Sequence, residues 1–124
     1  MNDATISNHA ANVIAEAIAL EVPGSRVYVD ERDSTALPHA LIYVEASGPL
    51  GSVVYDGTLV VHIWAASYGQ AVRLAEKANV PIVGFHMLAD GSGYRVKRGG
   101  RSVLREDDAA HVTVRYPIRY DASN

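Results

Sequence analysis

Residues 55–78 read YDGTLVVHIWAASYGQAVRLAEKA, and the hydrophobic period changes part-way along them. From 58 to 66 the run is β-branched and aromatic, follows a break at Gly57 and contains no proline. That pattern predicts a half-buried or fully buried strand. Ser67 then stands three residues before Gln70. This is the capping-box spacing, in which hydroxyl and amide each satisfy an orphan backbone donor at a helix start. Ala71, Leu74, Ala75, Ala78 and Ile82 follow at helical spacing, and Arg73, Glu76 and Lys77 fall on the outer side. A strand running directly into a capped helix predicts an α+β domain. The stretch carries no catalytic motif.

Outward from this unit, an N-terminal helix is expected over 8–21, with Ala10, Val13, Ile14, Ala17 and Ile18 as its apolar stripe and Pro23-Gly24 as its stop. A short strand follows at 26–30, then a polar loop at 31–36. Leu37-Pro38 opens a strand over 39–46, where a proline at the start needs no ladder donor. SGPLGS (47–52) reads as a flexible connection to the long strand. Pro81 predicts an end or kink of the second helix near Asn79 or Val80, with a short irregular or helical stretch on to Leu88. Asp90-Gly91-Ser92-Gly93 is a turn. The segments 94–98 and 101–105 read as two arms of a hairpin joined by Gly99-Gly100. Glu106-Asp107-Asp108 breaks that pattern before a last strand over 109–120, with Val112, Val114 and Tyr116 on one face and His111, Thr113 and Arg115 on the other. Pro117 places this strand at an edge or makes a bulge in it. The expected whole is one domain over 1–124: a mixed or antiparallel sheet, two main helices packed on it, and a projecting basic β-hairpin.

At 124 residues, 48% of them hydrophobic, the chain is long enough for a real core and too short for two domains. It has no cysteine, which excludes disulfide staples and thiolate metal sites. The longest apolar stretch, 59–66, is interrupted by His62 and cannot span a bilayer, so no membrane partner is expected. No charged leader with an apolar core opens the chain, which predicts no signal peptide. Net charge is −3, unevenly spread. Residues 1–93 hold four bases against ten acids, and residues 94–124 seven bases against four acids. Arg95, Lys97, Arg98, Arg101 and Arg105 meet no acid within YRVKRGGRSVLR. A sign split of this kind suits an anionic partner or head-to-tail self-association.

The five histidines (His9, His39, His62, His86, His111) are scattered, and none pairs with another at metal-ligand spacing. His62, alternating with apolar neighbours, reads as a partly buried residue satisfied by a hydrogen bond. No serine lies in a nucleophile elbow. The acids Asp30, Glu31 and Asp33, and Glu106, Asp107 and Asp108, read as solvated loop charge rather than a Mg²⁺ site. Gly91-Ser92-Gly93 lacks the residues and context of a phosphate loop. Trp64 and Tyr55 read as core or interface anchors. The basic hairpin leaves two readings open: solvated surface, or a surface that meets something negative.

The order of these elements resembles the tail-terminator (tail-completion) proteins of long-tailed phages and phage-like gene transfer particles. Arg26-Val27-Tyr28 leading through a loop to Leu37-Pro38 and the strand His39-Ala40-Leu41-Ile42-Tyr43-Val44 is similar to the opening of that family. Val61-His62-Ile63-Trp64-Ala65, then Ser67-Tyr68 and Ala71, is similar to its centre, and Asp107-Asp108 running into the strand from His111 to Tyr116 to its close. The resemblance implies a structural role without catalytic residues, cofactor or metal. Its implied form is a ring, typically of six subunits, at the head-proximal end of the tail tube. Such a ring stops tube polymerisation, presents the head–tail joining surface and lets DNA pass through its lumen. The implied partners are further copies of the chain, the tail-tube protein and a head-closure or connector protein. The implied location is the virion, assembled in the host cytoplasm. The basic residues 94–105 would then line the lumen or contact a neighbour, and the two acidic segments would be interface loops.

Three other readings stay in view. One is another neck component, a stopper. A second is a small nucleic-acid-binding domain using the five cations on phosphates, against which overall acidity and the lack of interleaved aromatics beyond Tyr94 argue. The third is a small enzyme around His39, His62 and the 30–33 loop, for which no ordered constellation exists.

Overall fold

The computed structural model describes residues 1–33, 36–49, 54–106 and 109–121, with the side chains of 46, 47 and 103–106 outside that description. Asn2 caps α1 (Asp3–Glu21) by accepting a hydrogen bond from the Thr5 backbone N–H at 2.9 Å. The helix therefore starts earlier than the apolar stripe alone predicts. Ile6, Ala10, Ile14 and Ile18 are its deepest side chains, each no more than 1% exposed.

The remaining elements are β1 (Arg26–Val29), β2 (His39–Pro49), β3 (Val54–Ala65), α2 (Tyr68–Ile82), β4 (Gly84–Met87), β5 (Gly93–Val96), β6 (Gly100–Glu106) and β7 (Ala109–Asp121). All seven strands form one mixed sheet in the order β1-β2-β3-β7-β5-β4, with β6 also paired to β7. Only the β1–β2 pairing is parallel. Two helices on a mixed sheet make this an α+β fold, as the change of hydrophobic period predicts.

Ser67 caps α2 as expected, its hydroxyl accepting from the Gln70 N–H at 3.2 Å. Ala71, Leu74, Ala75, Ala78 and Ile82 are all buried, against Ala40, Ile42, Leu59, Val61, Ile63, Val112, Val114, Tyr116 and Ile118 of the sheet. Pro81 does not end the helix where expected. It sits in the last turn, which continues to a fully buried Ile82. Burial of that side chain offsets the single ladder bond that Pro81, having no N–H, cannot donate, and so near the C-terminus little helix remains to be disrupted. The stretch expected to be irregular up to Leu88 contains β4, an edge strand paired with β5.

The expected basic hairpin is not there. β5 and β6 do not pair with each other; both run antiparallel to β7, end to end along the same side of it. The pairing passes from Val96↔Ile118 to Gly100↔Arg115, so the strand gains one residue at 97–99, a β-bulge. Gly99 makes it possible. A Cβ there would fall inside the Arg115 carbonyl and against the Tyr116 Cα, so only glycine lets the backbones approach. The hairpins lie elsewhere: β4–β5 turns between Leu88 and Ser92, and β6–β7 pairs up to Glu106↔Ala109. Pro117 is central rather than at an edge. Its carbonyl accepts from the Lys97 N–H at 2.9 Å, so its missing N–H faces the bulge, where the ladder is already interrupted.

Candidate functional site

Two surfaces concentrate chemistry. The first is the sheet face turned away from both helices. Cross-strand register places His39 opposite Trp64, and Trp64 opposite His111. The rings form a stack, with centroids 4.8 Å apart for His39–Trp64 and 4.3 Å for Trp64–His111, both close to parallel. The Arg32 guanidinium lies 4.0 Å from the centroid of the Trp64 ring and donates to His39 Nε2 at 3.1 Å. Because an arginine can only donate, His39 carries its proton on Nδ1 and gives it to the Ala36 carbonyl at 2.9 Å.

His62 continues the group. Its Nε2 lies 2.8 Å from the Tyr43 hydroxyl, and its Nδ1 lies 2.8 Å from His111 Nε2 and 3.0 Å from Thr113 Oγ1. Burial first, then the neighbouring His111, pulls the His62 pKa down to about 4. Burial lowers that of His39 as well, and the nearby Arg32 adds to the effect against an opposing hydrogen bond to Ala36. His39 and His62 are therefore neutral near pH 7.

Both nitrogens of His39 and of His62 have hydrogen-bond partners, which leaves no lone pair aimed at a shared ion. Among the described residues no three His, Cys, Asp or Glu side chains could hold a metal. The convergence of three histidines on Trp64 is nonetheless invisible in the sequence, because strand pairing between residues far apart creates it. The alternation that sets His111 and Thr113 on one face of the last strand is legible in the sequence, whereas the roles of Arg32 and Tyr43 in this group are not. Beyond this group the same face carries the cross-strand ion pairs Arg115–Glu45 at 3.3 Å and Arg119–Asp56 at 2.9 Å.

The second surface holds part of the predicted basic cluster. Without a hairpin, the five cations are distributed. Arg95 lies 5.7 Å from the centroid of Phe85 on the neighbouring strand β4. Lys97 borders a small groove with Asp56, Pro117 and Arg119. Among the described side chains of the five, Arg98 and Arg101 come together, in a groove of about 430 Å³ whose opposite wall is Glu76 and Asn79 of α2 and whose lining includes Gly99 and Tyr116. Arg101 reaches Glu76 at 3.8 Å with both side chains well exposed, a pairing worth little in solvent. Arg105 is paired by its backbone with Ala110; its side chain and that of Glu106, with Asp107 and Asp108 entirely, lie outside the described residues.

Asp30, Glu31 and Asp33 are exposed at the other side of the sheet, beyond the edge strand β1, and Asp30 has the left-handed φ of 66°. Arg32, the one cation of that loop, is turned away onto Trp64.

No protein-family model matches the chain, and no curated protein matches it. Among solved structures, a chain of the virion of a native gene transfer agent particle superposes with a TM-score of 0.60. Identity is 15%, over 92% of this chain and 93% of that one. The likeness is one of fold. It extends over nearly the whole of both chains, so the mixed sheet and both helices are shared rather than a local motif.

Proposed function

We propose that this chain is a virion structural protein of a phage-like or gene-transfer particle, acting as the tail terminator. In this reading copies of it form a ring, of six subunits by the resemblance, at the head-proximal end of the tail tube. The ring ends tube growth and offers the surface on which the head joins. It has no cofactor. The observation that carries the reading is the near end-to-end fold likeness to a gene transfer agent virion chain, which agrees with the order of sequence features. Two further features fit a structural role. Both nitrogens of His39 and of His62 are engaged, His39 by Arg32 and the Ala36 carbonyl and His62 by Tyr43, His111 and Thr113, a fully bonded network that fits a structural role. The oppositely charged sheet edges suit contacts between unlike surfaces of neighbouring copies, the kind that generates rings when the rotation closes.

The test is imaging of purified particles with the chain labelled. Density at the junction of tail tube and head is expected. Label in the capsid shell or at the distal tip would overturn the reading, and label on the head side of the joint would make the chain a stopper instead.

A further inference from the structure

We propose that the groove between α2 and the bulged β5–β6 edge is a socket for the acidic segment Asp30–Asp33 of a second copy of this chain, with Arg98 and Arg101 receiving one or two carboxylates from among Asp30, Glu31 and Asp33. The inference deepens the ring reading and rests on it for closure of the contacts.

Register carries the argument. Val29 is opposite Ile42, Ile42 opposite Val61, Val61 opposite Val114, and Val114 opposite Arg101. A single row across five strands therefore joins the start of the acidic loop to the arginine of the groove. The two features sit at the same level on opposite edges, about 19 Å apart at the usual strand spacing. The Asp30 N–H also donates to the Ile42 carbonyl, which holds the first acid of the loop on that row. A second copy placed beside the first, edge to edge, brings acid to base without sliding along the strands.

Charge complementarity selects this occupant. Arg98 has no ion-pair partner among the described residues, nor do Asp30, Glu31 and Asp33. Arg32 is withdrawn onto Trp64, so the loop presents net negative charge outward. On the socket side, Glu76 stands within the groove and would repel a continuous polyanion. A groove of about 430 Å³ with two arginines and one glutamate takes one or two carboxylate side chains rather than a phosphate backbone. The contact is heterologous: one edge of each copy is donor and the other acceptor, so every copy in a closed ring makes both.

Sedimentation velocity on purified protein tests it. Wild type should self-associate, with the association weakening as salt rises. Arg98→Glu with Arg101→Glu, and separately Glu31→Lys with Asp33→Lys, should each weaken it at least about tenfold. Mixing the two variants should restore association, because each then supplies what the other lacks. Arg98→Gln with Arg101→Gln removes the charge without adding an acid beside Glu76, and serves if the first variant fails to fold by circular dichroism. A wild type still monomeric at about 1 mM, near the weakest Kd of interest, overturns the socket. So does association unchanged by the swaps, or not restored on mixing. If the arginine variants lose affinity for a DNA duplex while self-association persists, the cations belong to nucleic acid instead. The ring reading fails separately: the swaps then break association, yet the labelled chain is absent from the tail end.

Discussion

Trp64 has a ring on each side and a guanidinium 4.0 Å from its centroid, and His39 and His62 beside it stay neutral because burial, with neighbouring His111 and Arg32, disfavours their charge. This sets a pH dependence with a definite sign. An unfolded histidine titrates near 6.5, whereas His62 in the fold titrates at about 4. As pH falls through that window the unfolded chain takes up a proton first, so stability is full above about 6.5 and declines toward pH 4. His39 and His9, also lowered by burial, act in the same direction. Thermal melts of wild type and His62→Gln should therefore show a shallower decline for the variant between these pH values. Equal slopes would locate the dependence elsewhere. Tyr116 supplies a second residue-scale expectation. Its hydroxyl is buried without a hydrogen-bond partner among the described residues, and burial raises its pKa to about 12. Tyr116→Phe removes a desolvated polar group and leaves the ring in place. Urea denaturation should find the variant as stable as wild type or up to about 1 kcal/mol more so; a clear loss would mean the hydroxyl has a partner in solution.

The bulge at 97–99 shows how one backbone requirement redirects an element. Gly99-Gly100 has the composition of a tight hairpin turn, but Gly99 is used for close approach to Arg115 and Tyr116. The cations that a hairpin would have projected together are thereby separated, and among their described side chains Arg98 and Arg101 share a groove. Gly99→Ala should destabilise by about 2–4 kcal/mol, because the added methyl meets backbone that cannot rotate away. Gly100→Ala, where a Cβ would meet nothing within 4 Å, is the control and should cost much less. Where β3 passes into α2, Ser67→Ala removes the hydroxyl that accepts from the Gln70 N–H. A loss of about 1 kcal/mol is expected, with the helix retained because its buried stripe holds it to the sheet.

For the whole molecule, the proposed role makes the phenotype a matter of assembly rather than turnover. Particles made without this chain should carry tails that lack a defined end, overlong or headless. Tails of normal length joined to heads in such a strain would show that termination lies with another protein. The Arg98→Glu and Arg101→Glu chain should keep its far-ultraviolet circular dichroism, since exposed charges rarely alter stability much. It should nonetheless fail to restore infectious or transducing particles. Normal particle yield would leave the groove as ordinary surface.

By itself the sequence determined what depends on neighbours along the chain. The switch from strand to helix period at Ala66, the Ser67 cap, the buried stripe of α2 and the alternating faces of β7 follow from side-chain spacing and local hydrogen bonding, and the structure has each of them. The resulting α+β class was legible for that reason. Tertiary structure alone decided which strands pair. Nothing local distinguishes a turn at Gly99-Gly100 from a bulge opposite Pro117, because the difference lies in whether β5 and β6 meet each other or both meet β7. The histidine–tryptophan stack and the row from Val29 to Arg101 are likewise products of register, which joins residues from strands far apart in sequence. Charge content could be counted residue by residue; which charges share a groove, and which face outward on opposite edges, is set by long-range pairing and by the burial that rewards it.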